Sequence, residues 1–194
     1  MRPFDLLKTV HTMLDFGDAD AQRLVAMGKL LLPHSAAMAA LFYKGLDTSE
    51  VSKAILDADP GRRSKLHQTL AEWYAQIFAG KYDEAYAQRR WIIGLVHVRL
   101  AIPPLFVVGS MENVYRFSAH KLDELSSQLS GSLKDNLESL TKMLATDLAF
   151  IEQSYAQSTL RAMANEMGAD EQLFNRFMHK GAEGLLAEAR AGKF

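Results

Sequence analysis

From residue 104 to residue 166 the chain carries apolar side chains at helical spacing, with one break at Gly131-Ser132. Met111, Tyr115, Leu122, Leu125 and Leu129 mark the first stretch, and Leu133, Leu137, Leu140, Leu144, Leu148, Ile151 and Tyr155 mark the second. Two helices of about 104–129 and 132–166, joined by so short a break, must lie antiparallel and side by side. A pair this long needs other helices to cover it, or a second copy of itself. No segment shows the strict alternation of a strand bounded by hairpin turns, so the fold class is all-α.

The remaining helices follow from punctuation. A first is predicted over about 4–15, ending at Phe16-Gly17-Asp18, and a second over 19–32. Pro33 suits the first turn of a third, 34–46. Asp47 and Glu50 resemble a capping box for a short helix near 48–57. Asp59-Pro60 reads as cap and first-turn proline of a helix over 60–79, which Gly80 stops. Asp83 starts the next, 83–101, and Pro103-Pro104 ends it. Gly168, Gly181 and Gly184 are expected to divide the tail into one or two short helices. The chain divides into a domain over 1–165 and a helical C-terminal extension of the same unit over 166–194.

Composition excludes several chemistries. With no cysteine there is no disulfide, zinc ribbon, thiol nucleophile or iron–sulfur cluster. The net charge is −1 with basic residues dispersed, which argues against nucleic acid or an anionic membrane as partner. The first residues lack a signal-peptide run, and a cytoplasmic location is expected. The apolar stretch Trp91–Val108 is interrupted by His97, Arg99, Pro103 and Pro104, which does not suit a membrane span. HExxH, GxSxG and a glycine-rich phosphate loop are absent, and His11, His34, His120 and His179 are scattered.

Three polar residues remain of interest. His97 has Ile93, Gly94, Leu100 and Ala101 as its helical neighbours, so its imidazole is dehydrated and favoured in the neutral, metal-ligating form. A core histidine bonded to a backbone carbonyl is the commoner use of such a position. Tyr43 falls with Ala36, Ala39 and Ala40 on a small-residue face that leaves room beside the ring. A tyrosine reaching solvent or a carbonyl fits that face as well. Thr69 lies at the edge of a face made by Leu66, Leu70, Trp73 and Ile77, either turned to a pocket or bonded to its own helix. His67, on the opposite flank near Tyr74 and Phe78, is a rival ligand or a surface residue.

Leu66-His-Gln-Thr-Leu70, Trp73, Phe78-Ala-Gly80, Arg89, Ile93, His97-Val-Arg99, Ile102-Pro103 and Gly109, with Phe42-Tyr43 upstream, together resemble the globin domain of globin-coupled sensors. That family includes haem-based aerotaxis transducers and oxygen-sensing diguanylate cyclases. The resemblance covers about residues 20–160. It implies a globin fold with an extra N-terminal helix and a short or missing D helix. It implies haem b (iron protoporphyrin IX) as cofactor and O2, CO or NO as gas ligand. By the same resemblance His97 is the proximal ligand and metal-binding residue, and Tyr43 the distal hydrogen-bond donor. Thr69 is a distal threonine, Leu66 a distal gating leucine and Phe42 an aromatic packed on the haem. Ile93 and Leu100, a turn to either side of His97, are expected to line the cofactor. Helices at about 105–129 and 132–160 match the family's homodimer interface. A sensor that binds gas, and not an enzyme, is the function expected. A haem-free dimerisation or signalling module is one alternative, and a haem globin acting as NO dioxygenase or peroxidase is another.

Two departures stand out. Some aerotaxis sensors carry Trp-Tyr after the proline, with that tyrosine touching the proximal histidine. Phe106-Val107 occupies this place here, so no route through that hydroxyl is available. The tail is apparently helical and carries no cyclase, kinase or methyl-accepting signature.

Overall fold

The structure is a computed structural model that describes residues 2–168 and 170–193, Glu171 by its backbone alone. Among these residues there are helices and turns but no strand. In chain order the helices are α1 (Pro3–Met13), α2 (Asp18–Leu31), α3 (Ser35–Leu46), α4 (Glu50–Leu56), α5 (Arg62–Ile77), α6 (Glu84–Arg99), α7 (Pro104–Glu124), α8 (Leu133–Glu166) and α9 (Glu171–Arg190). Short 3-10 turns at Leu32–His34 and Ser126–Gln128 connect α2 to α3 and follow α7.

Helix α8 is the spine. Ser132 caps it, its hydroxyl accepting from the Asp135 backbone N–H at 3.1 Å. Helices α6, α7, α2 and α1 all pack against it, while α3 packs on α7 and α5. Between α3 and α5 the chain has only the seven-residue α4. The short α4 and the N-terminal α1 ahead of α2 agree with the globin fold that the resemblance implies.

Several ends differ from the expected ones. Pro60 stands outside α5, which begins at Arg62 because Gly61 takes a left-handed φ of 79°. Asp59 pairs with Arg62 instead of capping. Ser49, not Asp47, precedes α4, and the Asp47 carboxylate binds Arg63 at 2.7 Å. The tail is one long helix, α9, with Gly181 and Gly184 inside it. Asp83 does cap α6, accepting from the Tyr86 N–H at 3.0 Å.

The buried face of α8 takes in Leu140, Leu144 and Ile151 of the predicted stripe and adds polar residues to them. Asn136, Ser139, Met143, Thr146, Asp147, Phe150 and Ser154 are buried, whereas Leu133, Leu137, Leu148 and Tyr155 are half-buried at the edge. The polar members that go inside find hydrogen-bond partners for most of their polar atoms, Asn136 Oδ1 being an exception. Ser139 donates to the buried Asp20 at 2.6 Å, Thr146 to the Lys142 carbonyl at 2.9 Å and Asn136 to Ser130 and Ser132 carbonyls. Likewise α7 buries Val107, Ser110, Val114, Ser118 and Leu122, and Ser118 meets the Tyr74 hydroxyl at 2.8 Å.

The run Asp18–Leu46 has 29 residues and a mean hydropathy of 1.4, enough by length and composition to cross a membrane. Its buried Leu24, Met27, Leu31 and Met38 belong to the main core, which accounts for that hydropathy.

Candidate functional site

Helix α6 places His97 in its last turn, half-buried. The imidazole Nδ1 lies 2.8 Å from the Ile93 carbonyl oxygen. A carbonyl only accepts, so Nδ1 carries the proton and the neutral ring keeps its lone pair on Nε2. Burial lowers the pKa of His97, and the Ile93 carbonyl opposes this only in part. Nε2 has no hydrogen-bond partner among the described residues. The commoner use of such a histidine, a bond to a backbone carbonyl, is present; it occupies one nitrogen and aims the other.

Apolar residues flank His97 along α6. Ile93 stands one turn before His97, and Leu100 closes the helix as its C-terminal cap. Both are half-buried, while Ile92 and Val96 on the neighbouring flank are exposed. So is Leu105 at the start of α7, at 67%.

A second group sits on α3 and α5. Tyr43 is buried, with the half-buried Phe42 edge-on to its ring at a centroid distance of 5.1 Å. The imidazole of His67 stacks on the other side of Tyr43 at 4.3 Å. Burial pushes the Tyr43 phenol up to about 12, so it is protonated at neutral pH. Its hydroxyl has no hydrogen-bond partner among the described residues. Leu66 is half-buried on α5. Thr69 is exposed, and its hydroxyl donates to the Leu66 carbonyl at 3.1 Å. Of its two readings, the bond to its own helix is the one adopted.

The structure thus brings Phe42 and Tyr43 of α3 against His67 of α5, next to Leu66 in the chain, and puts Ile93, His97 and Leu100 at the end of α6. No hydrogen bond or ring contact among the described residues spans the two groups. What relates them is a tie at the far end of α5 and α6. Arg90 donates from Nη1 to the Gln76 side-chain oxygen at 2.7 Å and from Nη2 to the Trp73 carbonyl at 3.2 Å. Leu66 lies about seven residues before that tie and His97 about seven after it, each roughly 10 Å along its own helix.

Arg90 is held in turn by Asp147 of α8, with Nε–Oδ2 at 2.9 Å, and by the Tyr86 ring 4.3 Å below its guanidinium. Tyr86 donates its hydroxyl to Asp147 Oδ1 at 2.6 Å. Burial alone would lower the Arg90 pKa, and the Asp147 charge outweighs it, so Arg90 stays charged. Sequence reasoning missed this cluster. Arg89, which carried part of the resemblance, is exposed; its neighbour Arg90 is the buried residue. The signal available was an arginine at one-turn spacing from Tyr86 and Gly94 on the inner face of α6.

A groove of about 400 Å³ lined by Phe4, Leu7, His11, Phe16 and Tyr82 shares no residue with this site. No cluster of three or more metal-binding His, Asp or Glu side chains occurs among the described residues.

Residues 5–161 match the Protoglobin family. Among solved structures, the globin domain of the Geobacter sulfurreducens globin-coupled sensor is similar at a TM-score of 0.69 with 25% sequence identity. The alignment covers 76% of this chain and 96% of that one.

Proposed function

The chain belongs to the Protoglobin family, and from that membership we propose that it is a haem-binding gas sensor domain with His97 as its ligand to the iron. The observation that carries the reading is the His97 hydrogen bond. Nδ1–H on the Ile93 carbonyl fixes the tautomer and the ring plane, and leaves the Nε2 lone pair free. That nitrogen would hold a haem iron, with Ile93 and Leu100 as apolar neighbours on α6. Haem bound there would supply an iron able to take O2, CO or NO.

The chain's own residues have separable tasks. Ile93, Leu100 and Leu66 offer apolar surface, and Phe42 steadies the Tyr43 ring. The protonated Tyr43 hydroxyl is a hydrogen-bond donor suited to O2, which gains negative charge in its complex, over CO, which gains little. The proton of the Thr69 hydroxyl is already used on Leu66, so the donor role falls to Tyr43. Reversible binding, not turnover, is the activity proposed. A phenol with a pKa of about 12 is a poor general acid. Dimerisation through α7 and α8 belongs to the same reading, supported by the half-buried Leu133, Leu137 and Leu148 at the edge of α8.

Haemin titration followed by reduction and CO addition tests the proposal. Wild-type protein is expected to give a Soret band that shifts with CO. His97→Gly protein is expected to lose haem readily and to regain the band with added imidazole. A colourless wild-type protein would instead favour a haem-free signalling module, and a native-like ferrous spectrum without His97 would remove the ligand assignment.

A further inference from the structure

Helix α8 grips the helix that carries His97 at three places. Asp147 holds Arg90 and Tyr86 near the start of α6. Beyond its end, the Tyr155 hydroxyl donates to the Ile102 carbonyl. Between them the two backbones come together at Gly94. A Cβ added there would stand 1.7 Å from Ser154 Oγ, 2.7 Å from Ser154 Cβ and 3.4 Å from the Ile151 Cα. Ser154 is buried and its hydroxyl is committed to the Ile151 carbonyl at 2.8 Å, so it is not free to turn away. The positions 147, 151, 154 and 155 share one face of α8, and 90, 94 and 97 share one face of α6.

Glycine is a poor helix former, and Gly94 has no left-handed φ to require it. The close approach to α8 accounts for it instead. His97 stands one turn further on, about 4.5 Å along the axis, so the spacing of α6 from α8 fixes where its imidazole lies. We propose that the Gly94–Ser154 contact is the positioning contact for the iron ligand, setting the placement of His97 and making α8 the element that moves with it. The proposal rests on the haem reading above. It supplies a route from the ligand helix toward the C-terminus that does not need the tyrosine replaced by Val107.

The test is a reciprocal exchange of small residues. Gly94→Ala, Ser154→Gly, the Gly94→Ala/Ser154→Gly pair and wild type are loaded with haemin. The ferrous iron–imidazole stretching band and the rate of haem transfer to an acceptor globin are then measured. Amide exchange along α6 is followed in the haem-free proteins. Gly94→Ala is expected to displace the band, to speed haem loss roughly 10- to 100-fold and to raise exchange around His97. The paired variant is expected to return all three toward wild type, because Ser154→Gly removes the atoms that the new methyl meets. Gly109→Ala on α7, where nothing lies within 4 Å, is expected to change none of them. A wild-type band and haem-loss rate in Gly94→Ala overturn the proposal. So does a Gly94→Ala protein, folded or not, that Ser154→Gly fails to rescue. Wild-type protein that takes up no haemin removes the haem reading itself, and this proposal with it.

Discussion

Replacing Asp147 by alanine has a cost that can be worked from the packing. Asp147 is fully buried and its partner Arg90 is 2% exposed. The substitution leaves a guanidinium in the core with two neutral acceptors, Gln76 and the Trp73 carbonyl, and takes from Tyr86 its carboxylate partner. Breaking one side of a buried ion pair costs about 3–5 kcal/mol. For a domain of this size that is a fall in Tm of roughly 6–20 °C. Met143 Sδ, 3.2 Å from the Tyr86 hydroxyl, offers only weak compensation. Replacing both charges, Arg90→Met with Asp147→Leu, removes the desolvation cost along with the attraction. It is expected to lie within about 1–2 kcal/mol of wild type. Urea and thermal unfolding followed by circular dichroism measure both variants. A single-variant loss below about 1 kcal/mol, or a double variant as unstable as the single, would refute the assignment of this pair as the tie between α5, α6 and α8.

If Tyr43 donates to bound O2 as proposed, a bond worth about 1.5–3 kcal/mol, Tyr43→Phe is expected to speed O2 release by about ten- to a hundredfold; an unchanged stopped-flow rate would remove Tyr43 from the donor role. Thr69→Ala is expected to change the same rate by less than about threefold, since the hydroxyl is bonded within its own helix, and a larger effect would show that it turns to the ligand. His11 titrates below its ordinary 6.5 because burial outweighs the Asp20 charge, and its Nε2 is enclosed without a partner. The folded chain therefore binds fewer protons there than the unfolded one. Stability is full above pH 6.5 and falls as the pH drops through 6.5 toward the lower folded value. His11→Phe should flatten that fall in the haem-free protein, and an identical pH profile would count against it.

Much of the fold was legible in the sequence because helix ends are local events. The Asp83 and Ser132 caps and the Pro103-Pro104 stop act within a turn of themselves, and α6, α7 and α8 start close to the expected places. Pro60 misled because Gly61, one residue later, takes the left-handed conformation that delays α5. The core-facing side of α8 was legible only in part. Its stripe placed Leu140, Leu144 and Ile151 in the core, but Asn136, Ser139, Thr146 and Asp147 look like a solvated face until their partners are known.

The candidate site divides the same way. The neutral imidazole of His97 follows from its apolar neighbours at three and four residues, all within one helix. The His67 ring on Tyr43 needs α5 to meet α3, and the Thr69 hydroxyl had two equally local choices. By itself the sequence determined an all-helical chain, where most helices stop, and a histidine that keeps its ring neutral. Periodicity reports which side chains share a face of one helix. Only the tertiary structure decided that Arg90 and not Arg89 is buried, and that Gly94 lets α6 lie against α8. Those outcomes depend on how helices cross, and on partners such as Asp147 that stand 57 residues away along the chain.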